Sequence, residues 1–208
     1  MLTVHHLNDS RSQKIVWLLE ELGLPYDIVH HERDRATLMG PPALKALHPI
    51  GKAPVLDDDG RLMIESGAIT DYILSRHGKG RLMPDPAGPD WMRYLEWSHI
   101  AIAAGMNPIM IKVYARAFGL AGEPIDRAAD AELDRILRHI DTTIATGPWL
   151  LGDLFTAADI QLSFVPELAR SLGSIEGYPN VTAWLTRCHE RPGFRASIIR
   201  GGRYGFAG

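Results

Sequence analysis

Residues 2–31, LTVHHLNDSRSQKIVWLLEELGLPYDIVHH, decide the fold. Leu2 to His6 reads as a short strand. Ile15, Leu18, Leu19 and Leu22 then recur at i, i+3, i+4 and i+7, the apolar stripe of an amphipathic helix. Gly23 ends that helix and Pro25 prevents its continuation. Tyr26 to His30 reads as a second strand. Strand, helix and strand over so short a span form a βαβ unit, which closes right-handed with its strands parallel.

Working outward, Gly40-Pro41-Pro42 opens a short helix that ends before Pro49. Pro54–Leu56 and Arg61–Ile64 flank the turn former Asp57-Asp58-Asp59-Gly60, which predicts an antiparallel hairpin. Ile69, Tyr72 and Ile73 place a helix after Glu65-Ser66. The order βαβαββα predicts a mixed four-stranded sheet with helices on its faces, the thioredoxin-like arrangement. Residues 1–78 are therefore read as one domain. Residues 79–89, rich in glycine and proline, are read as a linker. Residues 90–208 contain no convincing strand and are read as an all-helical bundle. Its first helix, Trp91 to Phe118, is expected to kink near Asn107-Pro108. Further helices are expected over Ile125–Thr146, Thr156–Leu172 and Pro179–Glu190, with a short one after Pro192.

Composition narrows the function. The 208 residues are 46% hydrophobic and 23% charged, the profile of a globular protein with a sizeable core. Lys plus Arg number 22 against 25 Asp plus Glu, a net charge of -3 that offers no broad attraction to nucleic acid or anionic lipid. The single cysteine, Cys188, excludes an internal disulfide, a CxxC redox pair and a Cys-rich zinc site, and it fits a reducing, cytoplasmic setting. No secretory leader or membrane span is read from the chain. His5-His6 and His30-His31 lie on strands, where neighbours point to opposite faces, so neither adjacent pair offers two metal ligands together. No metal site is expected.

Three segments carry chemistry. The turn Asn8-Asp9-Ser10-Arg11-Ser12 follows the first strand, where open α/β sheets bind ligands. A hydroxyl there sits beside unpaired N–H groups and the positive end of the helix, features that favour a thiolate. Ser10 could hold a bound thiolate by hydrogen bonding. Ser10 with Gln13 also spells a capping box, and both roles put Ser10 at the helix start. His48-Pro49-Ile50-Gly51-Lys52-Ala53-Pro54-Val55 carries a proline at a strand entry, the setting of a cis-proline that opens the preceding backbone to an extended peptide. Glu65-Ser66 opens the next helix. Its N–H groups suit a carboxylate and Glu65 an ammonium, which together match an α-amino acid terminus.

In this order the segments resemble the cytosolic glutathione transferase family. The resemblance runs through NDSRSQKIVWLLEELGLPYDI, PPALKALHPIGKAPVL, IESGAITDYI, WLLGDLFTAADI and YPNVTAWLTRCHERPGF. It looks most like serine-type members from bacteria and fungi. The resemblance implies that Ser10 hydrogen-bonds the glutathione thiolate, with Asn8 and Ser12 as alternatives. It also implies that Ala53, before a cis Pro54, binds the cysteinyl backbone. Lys52 would lie near the glycyl end, and Glu65 and Ser66 would hold the γ-glutamyl group. Thr156 and Asp159 match the family's helix-capping motif, and their spacing independently predicts a cap.

Ile100, Ala104, Asn107, Ile111 and Tyr114 share a helical spacing and are the expected wall of a mainly apolar electrophile pocket between the domains. Ala101-Ile102-Ala103-Ala104 stands where relatives often carry AEGS, a departure that bears on that pocket. The implied activity is that of a homodimeric glutathione transferase. Its co-substrate glutathione, rather than any permanently bound cofactor, attacks a hydrophobic electrophile or, as a side activity, a peroxide. The alternative is a glutathione-binding interaction protein with little catalysis.

Overall fold

The computed structural model describes every residue except Arg35, Ala36, Leu38 and Gly208. The first elements are β1 (Leu2–Leu7), α1 (Ser12–Leu22), β2 (Tyr26–His31), α2 (Pro42–Leu47), β3 (Val55–Asp58), β4 (Arg61–Ile64) and α3 (Ser66–His77). They are followed by α4 (Trp91–Ile102), α5 (Met106–Ala117), α6 (Pro124–Ile144), α7 (Ala157–Ser171), α8 (Pro179–Glu190) and α9 (Pro192–Gly201). The strands form one mixed sheet in the order β2-β1-β3-β4. β1 pairs with β2 in parallel, Val4 opposite Ile28, and with β3 antiparallel, Val4 opposite Leu56. β3 and β4 form the antiparallel hairpin.

Alternation along the strands sets the two faces of the sheet. Leu7 and Val55 meet Leu44 and Leu47 of α2. Val4 and His6 point the other way, and His6 bonds to Ser12 of α1. Helix α1 is buried almost all round: Ser12 through Leu19 are all buried, not only the predicted stripe. The covering element is α9. Trp17 meets Phe194 edge-on at 5.1 Å, Gln13 Nε2 donates to Ser197 Oγ at 2.9 Å, and Arg191 forms a bidentate pair with Glu21 at 2.7 Å.

The chain accordingly divides into one unit of residues 1–81 with 189–208, and a second of residues 82–188. The final segment, read from sequence as part of the helical bundle, packs on α1 instead. Its apolar and ion-pairing partners are there. Arg81 donates to the Leu22 and Glu21 carbonyls and so satisfies the end of α1.

In the second unit, α7 is central and buried along nearly its whole length. Gly105 packs closely on it: a Cβ there would lie 2.9 Å from a Val165 methyl and from the Ile100 carbonyl. The expected long helix breaks just before this contact, at Ala103, whose φ of -116° and ψ of -83° leave the helical conformation, and so ahead of Asn107-Pro108. Pro108 sits in the first turn of α5, where a missing N–H costs nothing. Lys112 of α5 is buried between Asp126 and Asp130 of α6, at 3.1 and 2.5 Å. Trp97 stacks on His139 at 4.6 Å. Among the described residues, no helix is long and apolar enough to cross a membrane.

Thr156 caps α7 in the predicted capping box with Asp159. Asp159 also accepts from the Leu150 N–H at 3.0 Å and Trp184 Nε1 at 3.1 Å, and burial pushes its carboxyl up to about 6 against those bonds. Replacing Asp159 with Ala leaves the buried N–H groups of Leu150, Thr156 and Trp184 without their acceptor. The expected loss is at least ~3 kcal/mol in urea unfolding, with Asp159→Asn milder; a loss below ~1 kcal/mol in Asp159→Ala would contradict this account.

His6 is 1% exposed, and burial, followed by neighbouring His30, pushes it down from 6.5 to about 4. Between those two values the unfolded chain holds more protons than the folded one, so stability falls as pH is lowered through that window. The contribution is complete above the unfolded value and amounts to about 3 kcal/mol across the window. His6→Asn is expected to flatten the dependence of the urea midpoint on pH there; an unchanged slope would rule the account out.

Candidate functional site

A shallow open cleft is lined by Arg11, Ile50, Lys52, Ala53, Pro54, Ile64, Glu65 and Ser66. The structure thus brings together Lys52, Ala53, Pro54, Glu65 and Ser66. The Ala53–Pro54 peptide is cis. β3 begins at Val55, and its pairing with β1 and β4 sets where this wall lies.

Glu65 precedes α3 with φ 71° and ψ 116°, a backbone conformation that a residue with a Cβ seldom adopts. Strain of about 1–3 kcal/mol at such a residue persists only where the surroundings hold it, and it gathers at functional sites. The exposed carboxylate stands beside the buried Ser66, at the end of α3 where backbone N–H groups lack helical partners. A carboxylate and the N-terminal end of a helix therefore stand side by side.

Ser10 lies in the turn between β1 and α1 and is 7% exposed. Its hydroxyl donates to the Leu7 carbonyl at 2.8 Å, lies 2.7 Å from Ser12 Oγ and accepts from the Ser12 N–H at 3.2 Å. The capping box expected with Gln13 does not form, because the Gln13 amide turns to Ser197 of α9. Ser12 Oγ is wholly enclosed, accepting from the Leu7 N–H at 3.1 Å and lying 2.9 Å from His6 Nδ1. Asn8 is engaged in the turn: its Oδ1 accepts from the Arg33 N–H at 2.8 Å. Asp9, with φ 51°, accepts from the Gly205 N–H at 2.6 Å. The turn is therefore held by β2's exit and by the C-terminal tail.

Arg11 is the residue that sequence reading passed over. It stands in the turn Asn8-Asp9-Ser10-Arg11-Ser12 without an assigned role, yet it is half-buried on the cleft wall. Its signal was its place at the start of a buried helix, next to the candidate hydroxyl. Arg11 and Lys52 set two cations against the single carboxylate of Glu65. That balance suits a ligand with two carboxylates and one ammonium.

The residues read as an electrophile wall fall on two helices, because of the break at Ala103–Gly105. Ile100 is on α4; Asn107, Ile111 and Tyr114 are on α5; Ala104 lies in the turn between them. Ile100 and Ile111 are half-buried and Tyr114 is 53% exposed, stacked with Phe118 at 6.4 Å. They do not make one continuous helical face.

The histidines meet across strands rather than along them. His5 Nδ1 lies 3.2 Å from His31 Nε2, and the rings of His6 and His30 are 5.8 Å apart. Among the described residues, no group of three or more possible ligands is placed to hold a metal ion.

Residues 4–81 match the family model for the glutathione S-transferase N-terminal domain, and residues 101–192 that for the C-terminal domain. The chain is 31% identical to glutathione S-transferase 3 of Schizosaccharomyces pombe, over 94% of this chain and 86% of that one. A glutathione S-transferase from Actinobacillus pleuropneumoniae superposes with a TM-score of 0.90 at 28% identity, covering 98% of this chain and 94% of the other. A Sulfitobacter glutathione transferase homologue, solved with bound glutathione, shares the fold with a TM-score of 0.79 at 23% identity, covering 97% and 98%. With its mixed sheet, its helical second unit and both family models matched, the chain belongs to the glutathione S-transferase family.

Proposed function

We propose that this protein is a serine-type glutathione transferase that binds glutathione in the Arg11–Ser66 cleft and activates its sulfur for attack on an electrophile. The observation that carries the reading is the cleft itself: Lys52, Ala53, Pro54, Glu65 and Ser66, from separated stretches of chain, line one cavity with Arg11. Glu65 takes the γ-glutamyl ammonium, and Ser66 with the α3 N–H groups takes the adjoining carboxylate. The Ala53 backbone takes the cysteinyl residue, and Lys52 lies toward the glycyl carboxylate. This leaves the sulfur toward the start of α1, where Ser10 donates its hydroxyl proton to the thiolate. The helix end adds favourable potential.

The chemistry asked of the protein is modest. A donor hydrogen-bonded to an ion contributes about 1.5–3 kcal/mol, equivalent to one or two pKa units of the thiol. Holding the thiolate against a second substrate supplies the remainder. The apolar and aromatic character of Ile100, Ala104, Asn107, Ile111 and Tyr114, spread over α4, α5 and the turn between them, suits contacts to a hydrophobic electrophile. Attack on a peroxide, and assembly as a homodimer, belong to the same proposal. The alternative, a glutathione-binding interaction protein, predicts no turnover of any electrophile or hydroperoxide.

Two outcomes are expected. In Ser10→Ala, the bound thiol ionises about one to two units higher and kcat falls roughly ten- to a hundredfold, while the glutathione KM changes less than about threefold. Unchanged thiolate absorbance across pH would remove Ser10 from its role. In Glu65→Gln, the glutathione KM rises severalfold with kcat near the parent value, as befits lost uniform binding.

A further inference from the structure

Arg11 stands immediately before α1, next in the chain to Ser10, and its half-buried side chain lines the cleft with Pro54, Glu65 and Ser66. Among the described residues, none accepts a hydrogen bond from its guanidinium or forms an ion pair with it. A partly buried cation gives up water, and without a counter-ion nothing in the protein offsets that loss. An anion that enters the cleft does offset it.

The neighbouring charges are placed differently. Lys14, one turn along α1, is 2% exposed and lies inside the protein. Arg33 donates to the Asp9 carbonyl at 3.1 Å, and the Asp9 carboxylate accepts from the Gly205 N–H. Lys52 is exposed, at the approach to β3, and Glu65 stands at the start of α3. Of the cations on the cleft, Arg11 is therefore the one beside Ser10.

We propose that Arg11 is a further catalytic residue: its guanidinium faces the sulfur of bound glutathione and supplies positive charge that holds it as a thiolate. That role rests on the proposed glutathione pose. There, Ser66 and the α3 N–H groups meet the γ-glutamyl carboxylate, Glu65 the ammonium and Lys52 the glycyl carboxylate. Ionisation of the thiol, its proton passing to solvent, adds a third anion at the start of α1, and Arg11 is the cation left to meet it. Ser10 and Arg11 act on one sulfur by different means. The hydroxyl gives a short, directional hydrogen bond, whereas the guanidinium gives a charge that acts over several ångströms. A guanidinium stays protonated at every pH where a thiol ionises, so its contribution is constant across that range. An opposite charge within about 4–6 Å lowers an acid's pKa by roughly one to three units, and partial exposure puts Arg11 at the lower end. A neutral thiol gains little from the same charge, so the effect falls on ionisation rather than on binding of the thiol form.

The test compares glutathione with S-methylglutathione, whose sulfur cannot ionise, in the parent protein, Arg11→Gln, Arg11→Lys and Ser10→Ala. Thiolate absorbance across pH reads the ionisation of bound glutathione, and calorimetry reads the affinity of both compounds. Arg11→Gln is expected to raise the bound thiol's pKa by about one unit, a tenfold loss of thiolate below it, while S-methylglutathione binds within about threefold of the parent value. Arg11→Lys, which keeps the charge, recovers most of the loss; if it is as impaired as Arg11→Gln, the electrostatic role is overturned. An unchanged pKa in Arg11→Gln overturns the role whatever happens to the affinities. Should S-methylglutathione then bind tenfold more weakly, Arg11 holds a carboxylate instead, and the reading of Ser10 stands. If Ser10→Ala leaves the pKa unchanged while Arg11→Gln raises it, the role of Arg11 is supported and that of Ser10 is lost. If the parent protein binds neither compound, the glutathione reading has failed and the role of Arg11 falls with it.

Discussion

Burial of α1 on nearly every side is the constraint on which the first unit depends. The sheet takes one flank of the helix and α9 another, so even Ser12, Gln13 and Lys14 in its first turn are buried. Buried polar groups must find partners. Ser12 finds Leu7 and His6, and Gln13 finds Ser197. These bonds orient the turn that carries Ser10 and Arg11. The helix start is therefore a fixed platform rather than a fraying end, which is the preorganisation that the proposed thiolate site requires.

The cleft combines two kinds of fixity. One wall comes from the approach to β3, held by ladder pairing on both sides. The opposite wall is Glu65 and Ser66, where the chain leaves β4 with a strained φ and enters α3. Polar groups contributed by separate elements face one cavity because the sheet sets the spacing between them. The second unit repeats the same economy in a different place, with the Asp159 carboxylate serving Leu150, Thr156 and Trp184 at once.

Much of this was legible in the residues. Apolar stripes, turn formers and prolines located the strands and helices to within a residue or two, because hydrophobic periodicity and backbone restriction are local properties. The Thr156–Asp159 cap was read correctly for the same reason, both partners lying within one turn. The Ser10–Gln13 capping box used the same spacing and did not form. A distant residue, Ser197, offered the Gln13 amide a buried partner. Spacing alone does not register such a competitor. The helix break was likewise expected at the nearest proline, whereas the chain leaves helical conformation at Ala103 and Pro108 sits inside the next helix.

The amino-acid sequence by itself determined the order of elements, a mixed four-stranded sheet and the family to which the chain belongs, since these follow from local pattern and from motifs in a set order. Tertiary structure alone decided that α9 belongs with the first unit and that Arg11 stands on the cleft wall. It also decided that Ser12, beside Ser10, is enclosed against His6. The physical reason is that hydrogen-bond direction and burial depend on groups far apart in the chain. Gln13 Nε2 donates at 2.9 Å to Ser197 Oγ, a partner 184 residues away in the chain.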